Sequence, residues 1–430
     1  MIQPKKSHQI IWAMFDWART VWPVMIVTFV FPYYFANHVA TTPEQGSLYW
    51  ADTMVYSGIL IGIMAPVIGG ISDTMKNSTP WFRLFTITNI LCAYGLWFVL
   101  PSPEYVPLGM ALVVLGTIGL EISGTFYNSY LSLVTKPSEL SRVSGLAWGL
   151  GYIAGIFCLV LCLGLLVLPK EPLFGYISNQ DFTNIRIIGP IVGTWYLLFG
   201  GPMLMLKDAS ANTHASTPLF QLIKATYRKF IDSIKKTTET PYIFYFLIYR
   251  MIYTDGINTL FLFAGLYASS TFGMGFDEIM IFGIACNLSA GLGCLLASYT
   301  DSAYGELKTI CASIILLAMS IVVLLSVTTL FYFWIFALIA TLFVGPLQTS
   351  SRSLMAKICP EESKGEFFGL YALSGRITSF LGPAAYRFVT QSTESQAAGM
   401  STILIFLAIG LIGMLYLRIP QAILLPPKTD

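Results

Sequence analysis

Charged residues are scarce in this sequence. They fill 11% of its 430 positions, where a soluble globular protein carries about 25%, and hydrophobic residues fill 55%. A soluble fold of this size needs a polar shell that so few charged side chains cannot supply. The composition therefore excludes a cytosolic enzyme, a secreted disulfide scaffold and a disordered chain. A net charge of +2 is too small to indicate a nucleic-acid partner.

Metal-binding and catalytic signatures are also missing. The 3 histidines fall near or outside the ends of apolar runs, and none of the 7 cysteines forms a C-x-x-C pair. We interpret the cysteines as small buried hydrophobic residues and expect neither a metal site nor a cofactor. The sequence has no G-x-x-x-x-G-K-[ST] motif and no H-E-x-x-H motif. Direct use of ATP and an intramembrane enzyme are therefore disfavoured.

Long apolar runs, in contrast, fill most of the sequence. A run of about 20 apolar residues is long enough to cross a bilayer as a helix, and prolines mark several of the breaks between the runs. We therefore predict an all-α membrane protein with twelve transmembrane helices. The predicted spans are approximately 10–37, 51–72, 82–100, 105–134, 143–168, 186–206, 241–268, 278–299, 308–328, 331–356, 365–389 and 400–418.

The positions of lysine and arginine predict the orientation of these spans. With the N-terminus placed in the cytoplasm, 17 of the 24 basic residues lie in inner segments, two in outer segments and five within spans. Cytoplasmic segments are enriched in positive charge. The distribution therefore predicts that both termini are cytoplasmic.

The longest polar stretch, residues 207–240, lies between the sixth and seventh spans. It divides the chain into an N-terminal six-helix half, 1–206, and a C-terminal six-helix half, 241–430. Within the stretch, apolar residues recur at helical spacing after Thr217-Pro218 and are accompanied by lysine and arginine. This pattern predicts a basic amphipathic helix on the inner leaflet, with a flexible tether as the alternative.

The two halves repeat one another in sequence. Asp16-Trp-Ala-Arg19-Thr20 in span one matches Asp255-Gly-Ile-Asn258-Thr259 in span seven, and the segments ending at Asp73 and Asp301 match at the ends of spans two and eight. Two parallel six-helix halves with a site between them are a known transporter plan. The repeat therefore favours a pseudo-symmetric transporter over a receptor or scaffold.

Specific motifs carry a resemblance to the major facilitator superfamily. Gly69-x-x-x-Asp73 resembles its cytoplasmic-loop motif, although the basic residues expected just after the aspartate are absent. Within the superfamily the chain is most similar to the autophagy-related vacuolar amino-acid effluxers and their bacterial relatives. The resembling segments are Phe15-Asp16-Trp17-Ala18, Phe126-Tyr127-Asn128, Tyr253-Thr254-Asp255-Gly256, Gln348 to Leu354, Phe367 to Tyr371 and Leu381-Gly382-Pro383. The resemblance implies the major facilitator fold, with spans one, four, seven and ten lining a central cavity.

Ionisable side chains within the spans form the candidate site. A charge inside the bilayer is costly, so such groups normally face the bundle interior or a watery cavity. The three acids within spans all lie on spans that the resemblance assigns to the cavity, and helical spacing groups them with polar neighbours. The predicted substrate- and proton-binding residues are Asp16, Arg19, Glu121, Thr125, Asn128, Arg250, Asp255, Asn258, Gln348, Arg352 and Arg376.

Simpler interpretations stay open for several of these charges. Asp16 and Arg19 could form an intrahelical ion pair that only makes the two charges tolerable, and Arg352 could extend to the lipid headgroups. Asp73 and Asp301, at cytoplasmic span ends, are predicted to form a conformational gate through the dipoles of neighbouring helices. For both, the alternative is an ordinary solvated charge.

The sequence thus predicts a secondary active transporter that works by alternating access and couples to protons. Arginines outnumber acids within the candidate site, and arginine binds carboxylates well. We therefore expect a small carboxylate-bearing solute, an amino acid or an organic acid, with import of an anionic metal chelate or siderophore as the alternative. The expected partners are this substrate, protons and the lipid bilayer. We expect a monomer that crosses the bacterial inner membrane many times.

Overall fold

The computed structural model of the chain is helical, and the part of the chain that it describes contains no β-strand. The described residues are 6–74, 79–134, 140–169, 171–177, 180–205, 228, 235, 239–359, 367, 370–371, 374–375 and 377–420, with a few side chains inside these ranges excepted.

The first helices belong to the N-terminal part of the chain. The first apolar run is one long rod in which α-helical and π-helical segments alternate; its π segments are Trp22–Phe29 and Phe35–Val39, and a third π segment, Leu163–Val167, follows α6. The α-helices are α1 (Lys6–Arg19), α2 (Val30–Tyr34), α3 (Pro43–Thr74), α4 (Thr79–Gly95), α5 (Val106–Val134), α6 (Leu140–Cys162), α7 (Thr183–Arg186) and α8 (Ile188–Leu204).

The C-terminal part of the chain forms six further helices among the described residues. They are α9 (Pro241–Phe272), α10 (Phe276–Tyr304), α11 (Glu306–Ser326), α12 (Leu330–Ile358), α13 (Leu381–Thr393) and α14 (Gln396–Tyr416).

Every predicted span coincides with a described helix over at least part of its length. Eight of the helices in the described residues are long and apolar enough to cross a membrane. The all-helical fold is therefore confirmed, and the count of twelve and the cytoplasmic placement of both termini stay predictions.

The helix ends follow local chemistry. Proline occupies the first position of α3 and of α9, where its missing N–H has no partner to lose. Ser395 caps α14 by accepting a hydrogen bond from the backbone N–H of Ala398 at 3.3 Å. Gly273 and Gly305 separate α9 from α10 and α10 from α11 with φ of 67° and 85°. Glycine tolerates this left-handed backbone because it has no Cβ.

The chain divides into two compact units. The first unit is Met1–Lys229 with Ala268–Ile284, and the second is Phe230–Tyr267 with Ala285–Asp430. The division predicted at 207–240 stays a prediction. The amphipathic helix expected there lies, apart from Arg228, Lys235 and residues 239–240, outside the described residues.

Hydrogen bonds between helices hold the first unit together. Asn89 on α4 is buried and donates to the carbonyl oxygen of Gly116 on α5 at 2.8 Å. The indole N–H of Trp195 on α8 donates to the carbonyl oxygen of Trp17 on α1 at 3.1 Å. These bonds use polar groups that the bilayer could not satisfy, and they fix the position of α1, which carries Asp16.

Close backbone approach organises the second unit. A Cβ added at Gly410 on α14 would lie 2.7 Å from Cβ of Tyr253 on α9, and one added at Gly256 would lie 3.0 Å from Cβ of Phe406. Small residues allow membrane helices to approach closely and gain van der Waals contact. Ser289 on α10 donates to the carbonyl oxygen of Leu338 on α12 at 2.6 Å. The charged part of α9 is therefore held between well-packed neighbours.

Candidate functional site

The first unit holds an ion pair on α1. Nη1 of Arg19 lies 3.7 Å from Oδ1 of Asp16, and both side chains are largely buried. Residues three apart share a helix face, so the sequence itself brings these two groups together. The intrahelical ion pair left open by the sequence is present.

Aromatic rings surround this pair. The guanidinium carbon of Arg19 lies 5.8 Å from the centroid of the Tyr127 ring, within the range of a cation–π contact. Tyr127 stacks on Trp12 at a centroid distance of 4.4 Å, and Trp12 donates to the Tyr127 carbonyl oxygen at 2.9 Å. Arg19 thus contacts Asp16 on its own helix and the ring of Tyr127 on α5.

Glu121 belongs to the same surroundings. Its side chain is half-buried, and its charge interacts with that of Arg19. The hydroxyl of Thr125 donates back to the Glu121 carbonyl oxygen at 3.3 Å. The predicted stripe on α5 continues to Asn128, whose side chain lies outside the described residues. The structure therefore places Asp16, Arg19, Glu121 and Thr125 in one region of the first unit.

Arg250 is the central charge of the second unit. It is 8% exposed, and its guanidinium carbon lies 3.6 Å from the centroid of the Tyr371 ring. Nη1 donates to the Tyr371 carbonyl oxygen at 2.8 Å and to the Ser374 hydroxyl at 2.9 Å. No carboxylate within the described part of the chain lies at ion-pair distance from it. Arg250 is thus positioned by neutral groups.

Asp255 lies five residues further along α9. It is 1% exposed, and neither carboxylate oxygen has a hydrogen-bond partner among the described residues. The hydroxyl of Thr378, also without a hydrogen-bond partner there, interacts with it. A buried ionised carboxylate without hydrogen bonds is costly, and protonation removes most of that cost.

The remaining predicted residues of the second unit differ in exposure. Thr254 is buried and Asn258 is half-buried on α9, whereas Gln348 and Arg352 occupy an exposed face of α12. Arg376 lies outside the described residues. The structure therefore brings Arg250, Thr254 and Asp255 into the interior and leaves Gln348 and Arg352 at the surface of the unit.

The predicted gate residue Asp301 links two helices. Its Oδ1 accepts a hydrogen bond from the hydroxyl of Ser350 at 2.7 Å, which joins the end of α10 to α12. This contact is with a side chain within α12, and the gate role expected through the dipole of a neighbouring helix stays a prediction. The side chain of its counterpart Asp73 lies outside the described residues.

Sequence reasoning missed the residues that position these charges. Tyr371 and Ser374 hold Arg250, and Tyr127 faces Arg19. Tyr127 and Tyr371 both lie within segments that carry the family resemblance, and that was the available signal. Glu306 was also missed; it is buried at the start of α11 and pairs with Lys357 at 2.5 Å.

Within the described residues no group of three or more His, Cys, Asp or Glu is arranged to hold a metal ion. The described site residues offer electrostatic interactions. One region holds a neutralised pair with an added acid, and the other holds a cation and an acid that do not pair with each other. Buried ionisable groups on membrane-length helices are typical of substrate and ion pathways.

Several solved transporters share this arrangement of helices. A nucleoside transporter, NupG, matches 96% of this chain and 99% of its own with a TM-score of 0.64 at 13% identity. A bacterial homologue of the human lysosomal transporter Spinster matches 96% of this chain and 97% of its own with a TM-score of 0.66 at 12% identity. These likenesses show that the chain has the fold of these transporters.

A family model described as vacuole effluxer Atg22 like matches residues 53–423, and the chain belongs to this family. The uncharacterized MFS-type transporter YxiO of Bacillus subtilis is 23% identical over 411 residues, which are 93% of this chain and 92% of YxiO. Autophagy-related protein 22 of Cryptococcus neoformans is 26% identical over 301 residues, 66% of this chain. This chain spans about half the length of that fungal relative, 53%. The resemblance predicted from the sequence is confirmed.

Proposed function

We propose that the protein is a secondary active transporter that moves a small carboxylate-bearing solute, an amino acid or an organic acid, by alternating access with coupling to protons. The observation that carries this proposal is Arg250. It is a buried cation on a membrane-length helix, and no described carboxylate neutralises it. Burying a charge without a counterion is unfavourable, so an anionic ligand that supplies the counterion gains affinity there.

The hydrogen bonds of Arg250 favour a carboxylate in particular. Nη1 is engaged by Tyr371 and Ser374, and no hydrogen bond to Nη2 or Nε occurs in the described part of the chain. Those two nitrogens form the edge of the guanidinium that matches the two oxygens of a carboxylate. Tyr371, Ser374 and Arg250 would thus hold the fork in place before the ligand arrives.

The acids supply the proton coupling in this proposal. Asp255 is buried without hydrogen bonds to described residues, so the cost of its ionised form depends on its surroundings. Glu121, beside Arg19, is the second candidate. A carboxyl group whose exposure alternates between two sides of a membrane can take a proton on one side and release it on the other.

The comparisons support the class and the location that we propose. The family description names an effluxer, which favours export of the solute. Proteins of this fold have been solved facing inward and in an outward conformation, and one is a D-xylose–proton symporter. YxiO, which this chain matches over almost its whole length, is bacterial, so we place the protein in a bacterial inner membrane. Import of an anionic metal chelate or siderophore is the alternative activity.

The substrate is tested by a thermal-shift screen of the purified protein. The compounds are amino acids, polycarboxylates and iron chelates, each carboxylate paired with its uncharged amide. We expect a carboxylate to raise the melting temperature of the wild type and its amide to have no effect. Arg250→Gln should lose the response. Stabilisation by amide and carboxylate alike would contradict the proposed role of Arg250.

Proton coupling is tested with Glu121→Gln in proteoliposomes. The neutral amide mimics a permanently protonated acid, so we expect loss of accumulation driven by a pH gradient while counterflow exchange, which needs no net proton movement, continues. The exposed acid Glu104 provides the control variant Glu104→Gln, which should behave as wild type. Normal gradient-driven uptake by Glu121→Gln would remove Glu121 from the mechanism and leave Asp255 and Asp16.

A further inference from the structure

A groove on the second unit lies apart from the buried charges. It has a volume of about 380 Å³ and is formed by α10, α11 and α12. It begins where α10 meets α11 and extends along α11. Its lining residues include Thr300, Lys308, Thr309, Ala312 and Leu316.

The wall of the groove is apolar despite its threonines. Thr300 donates its hydroxyl to the carbonyl oxygen of Ala297 at 3.2 Å, and Thr309 donates to that of Gly305 at 3.2 Å. Both hydroxyls are thus occupied by their own helices, and a ligand meets mainly hydrocarbon. A carboxylate only accepts hydrogen bonds and would find neither hydroxyl free to donate to it, so the groove is unsuited to the carboxylate proposed above.

One end of the groove carries a positive charge. Lys308 is exposed at the start of α11, and no carboxylate of the described residues lies at ion-pair distance from it. The nearest acid in sequence, Glu306, is already paired with Lys357 at 2.5 Å. The charge of Lys308 is therefore available to an anion at the mouth of an apolar channel.

The dimensions of the groove match one leaflet of a bilayer. Lys308 and Leu316 are eight residues apart on α11, which is about 12 Å along the helix axis. Half of the hydrocarbon core is about 15 Å thick. With Lys308 at headgroup level, the floor of the groove at Leu316 would lie near the end of the acyl chains of the same leaflet.

The surface around the groove is apolar as well. Leu292 and Leu295 on α10 and Met319 on α11 are each about 60% exposed. In a membrane-spanning helix such a surface faces lipid tails. The occupant that reaches the groove from this side is therefore a lipid of the surrounding leaflet.

We propose that this groove binds an anionic phospholipid, with one acyl chain lying between α10, α11 and α12 and the phosphate at Lys308. The apolar wall and the depth of the groove match an acyl chain. The cation at its mouth matches the phosphate. The groove shares no residue with the proposed substrate- and proton-binding residues.

The proposal is tested by native mass spectrometry of the protein purified in detergent, with phosphatidylglycerol or phosphatidylcholine of identical acyl chains added. We expect phosphatidylglycerol to be retained about fivefold better, the preference that one basic residue near an anionic headgroup provides. Lys308→Gln should abolish the preference. Arg418→Gln, which removes an equally exposed charge outside the groove, should keep it.

A second variant tests the groove itself. Ala312→Phe should fill it and lower retention of both lipids to background, whereas Ile315→Phe, on the same helix but outside the lining, should retain them. Unchanged retention in Ala312→Phe would overturn the proposal. Equal loss of preference in Lys308→Gln and Arg418→Gln would also overturn it, since the attraction would then be a diffuse effect of surface charge.

Discussion

Helices α1 and α9 each carry an arginine and an aspartate, but the spacing differs. Asp16 and Arg19 are three residues apart, and Arg250 and Asp255 are five apart. Residues three apart lie on one helix face, whereas residues five apart are about 140° away from each other. The first pair therefore neutralises itself at 3.7 Å, and the second pair cannot meet within its own helix.

Because of this difference, we expect the charged residues of the two units to have different roles. In the first unit the charge of Arg19 is compensated before any ligand binds. In the second, Arg250 is held by a ring, a carbonyl oxygen and a hydroxyl, and Asp255 has no hydrogen bond with a described residue. We expect the first pair to contribute mainly to stability and the second set to binding and proton transfer.

The largest expected effect separates the two aspartates by stability. Asp16→Asn removes the acid whose charge acts most strongly on Arg19, so we expect the free energy of unfolding to fall by about 3 kcal/mol. Asp255→Asn replaces an acid that lacks hydrogen bonds with a neutral amide, so stability should stay level or rise. Thermal unfolding of both variants in detergent measures this. Equal destabilisation would show that Asp255 has an ionic partner after all.

The next effect separates the two arginines by ligand binding. Arg250→Lys keeps the charge and removes the planar fork, so we expect binding of the carboxylate found by thermal shift to weaken about 30-fold, or about 2 kcal/mol. Arg19→Lys preserves an ion pair and should change binding less than about threefold. Titration calorimetry on both variants gives the ratio. A similar loss in both would mean that both arginines contact the ligand.

Two glycines sharpen the contrast further. A Cβ at Gly124 would lie 2.5 Å from Nη2 of Arg19, whereas one at Gly375 would lie 3.5 Å from Nη1 of Arg250. Gly124→Ala must displace the guanidinium, and we expect a loss of about 1.5 kcal/mol. Gly375→Ala meets ordinary contact distances and should be neutral, or stabilising by up to about 1 kcal/mol as alanine favours a helix. Thermal unfolding distinguishes the two, and a stable Gly124→Ala would show that Arg19 has room to move.

The smallest effect concerns the link between α10 and α12. Ser350→Ala and Asp301→Ala each remove the hydrogen bond of 2.7 Å, and a double-mutant cycle should give a coupling of about 1 kcal/mol. If Asp301 is a gate, turnover in counterflow should change in both single variants while ligand affinity does not. Additive single effects would mean that the two side chains do not interact.

Sequence reasoning could predict the helices and the charged positions because both follow from short stretches of sequence. Apolar runs of membrane length have few alternative structures, and a charge within such a run is conspicuous. It could also predict the Asp16–Arg19 pair, since three-residue spacing fixes that contact. The partners of Arg250 were out of reach because Tyr371 and Ser374 lie more than a hundred positions away, and only packing brings them to α9.

Helical periodicity also failed at one feature of the first rod, its π segments. Trp22–Phe29 and Phe35–Val39 have hydrogen bonds to the fifth residue, such as Ala40 N–H to the Phe35 carbonyl oxygen at 2.9 Å. A wheel drawn at 3.6 residues per turn therefore misplaces every side chain beyond Val21 relative to Asp16. Pro23, which that wheel puts on the face of Asp16, is already inside the first π segment.

Each π turn holds one residue more than an α turn, so it behaves as a tolerated insertion. Deleting one residue between Trp22 and Phe29 would restore regular α-helical geometry. It would also rotate Asp16 about the helix axis by about 100° relative to Tyr34. Tyr34 is anchored by its hydrogen bond to the Val99 carbonyl oxygen at 2.8 Å, and Trp12 on α1 is anchored by its hydrogen bond to the Tyr127 carbonyl oxygen at 2.9 Å. The rotation would therefore strain one of these two attachments. The number of residues in this rod therefore cannot change by even one without moving side chains. In an alignment of related chains, a gap placed here changes which side chains are compared with Asp16.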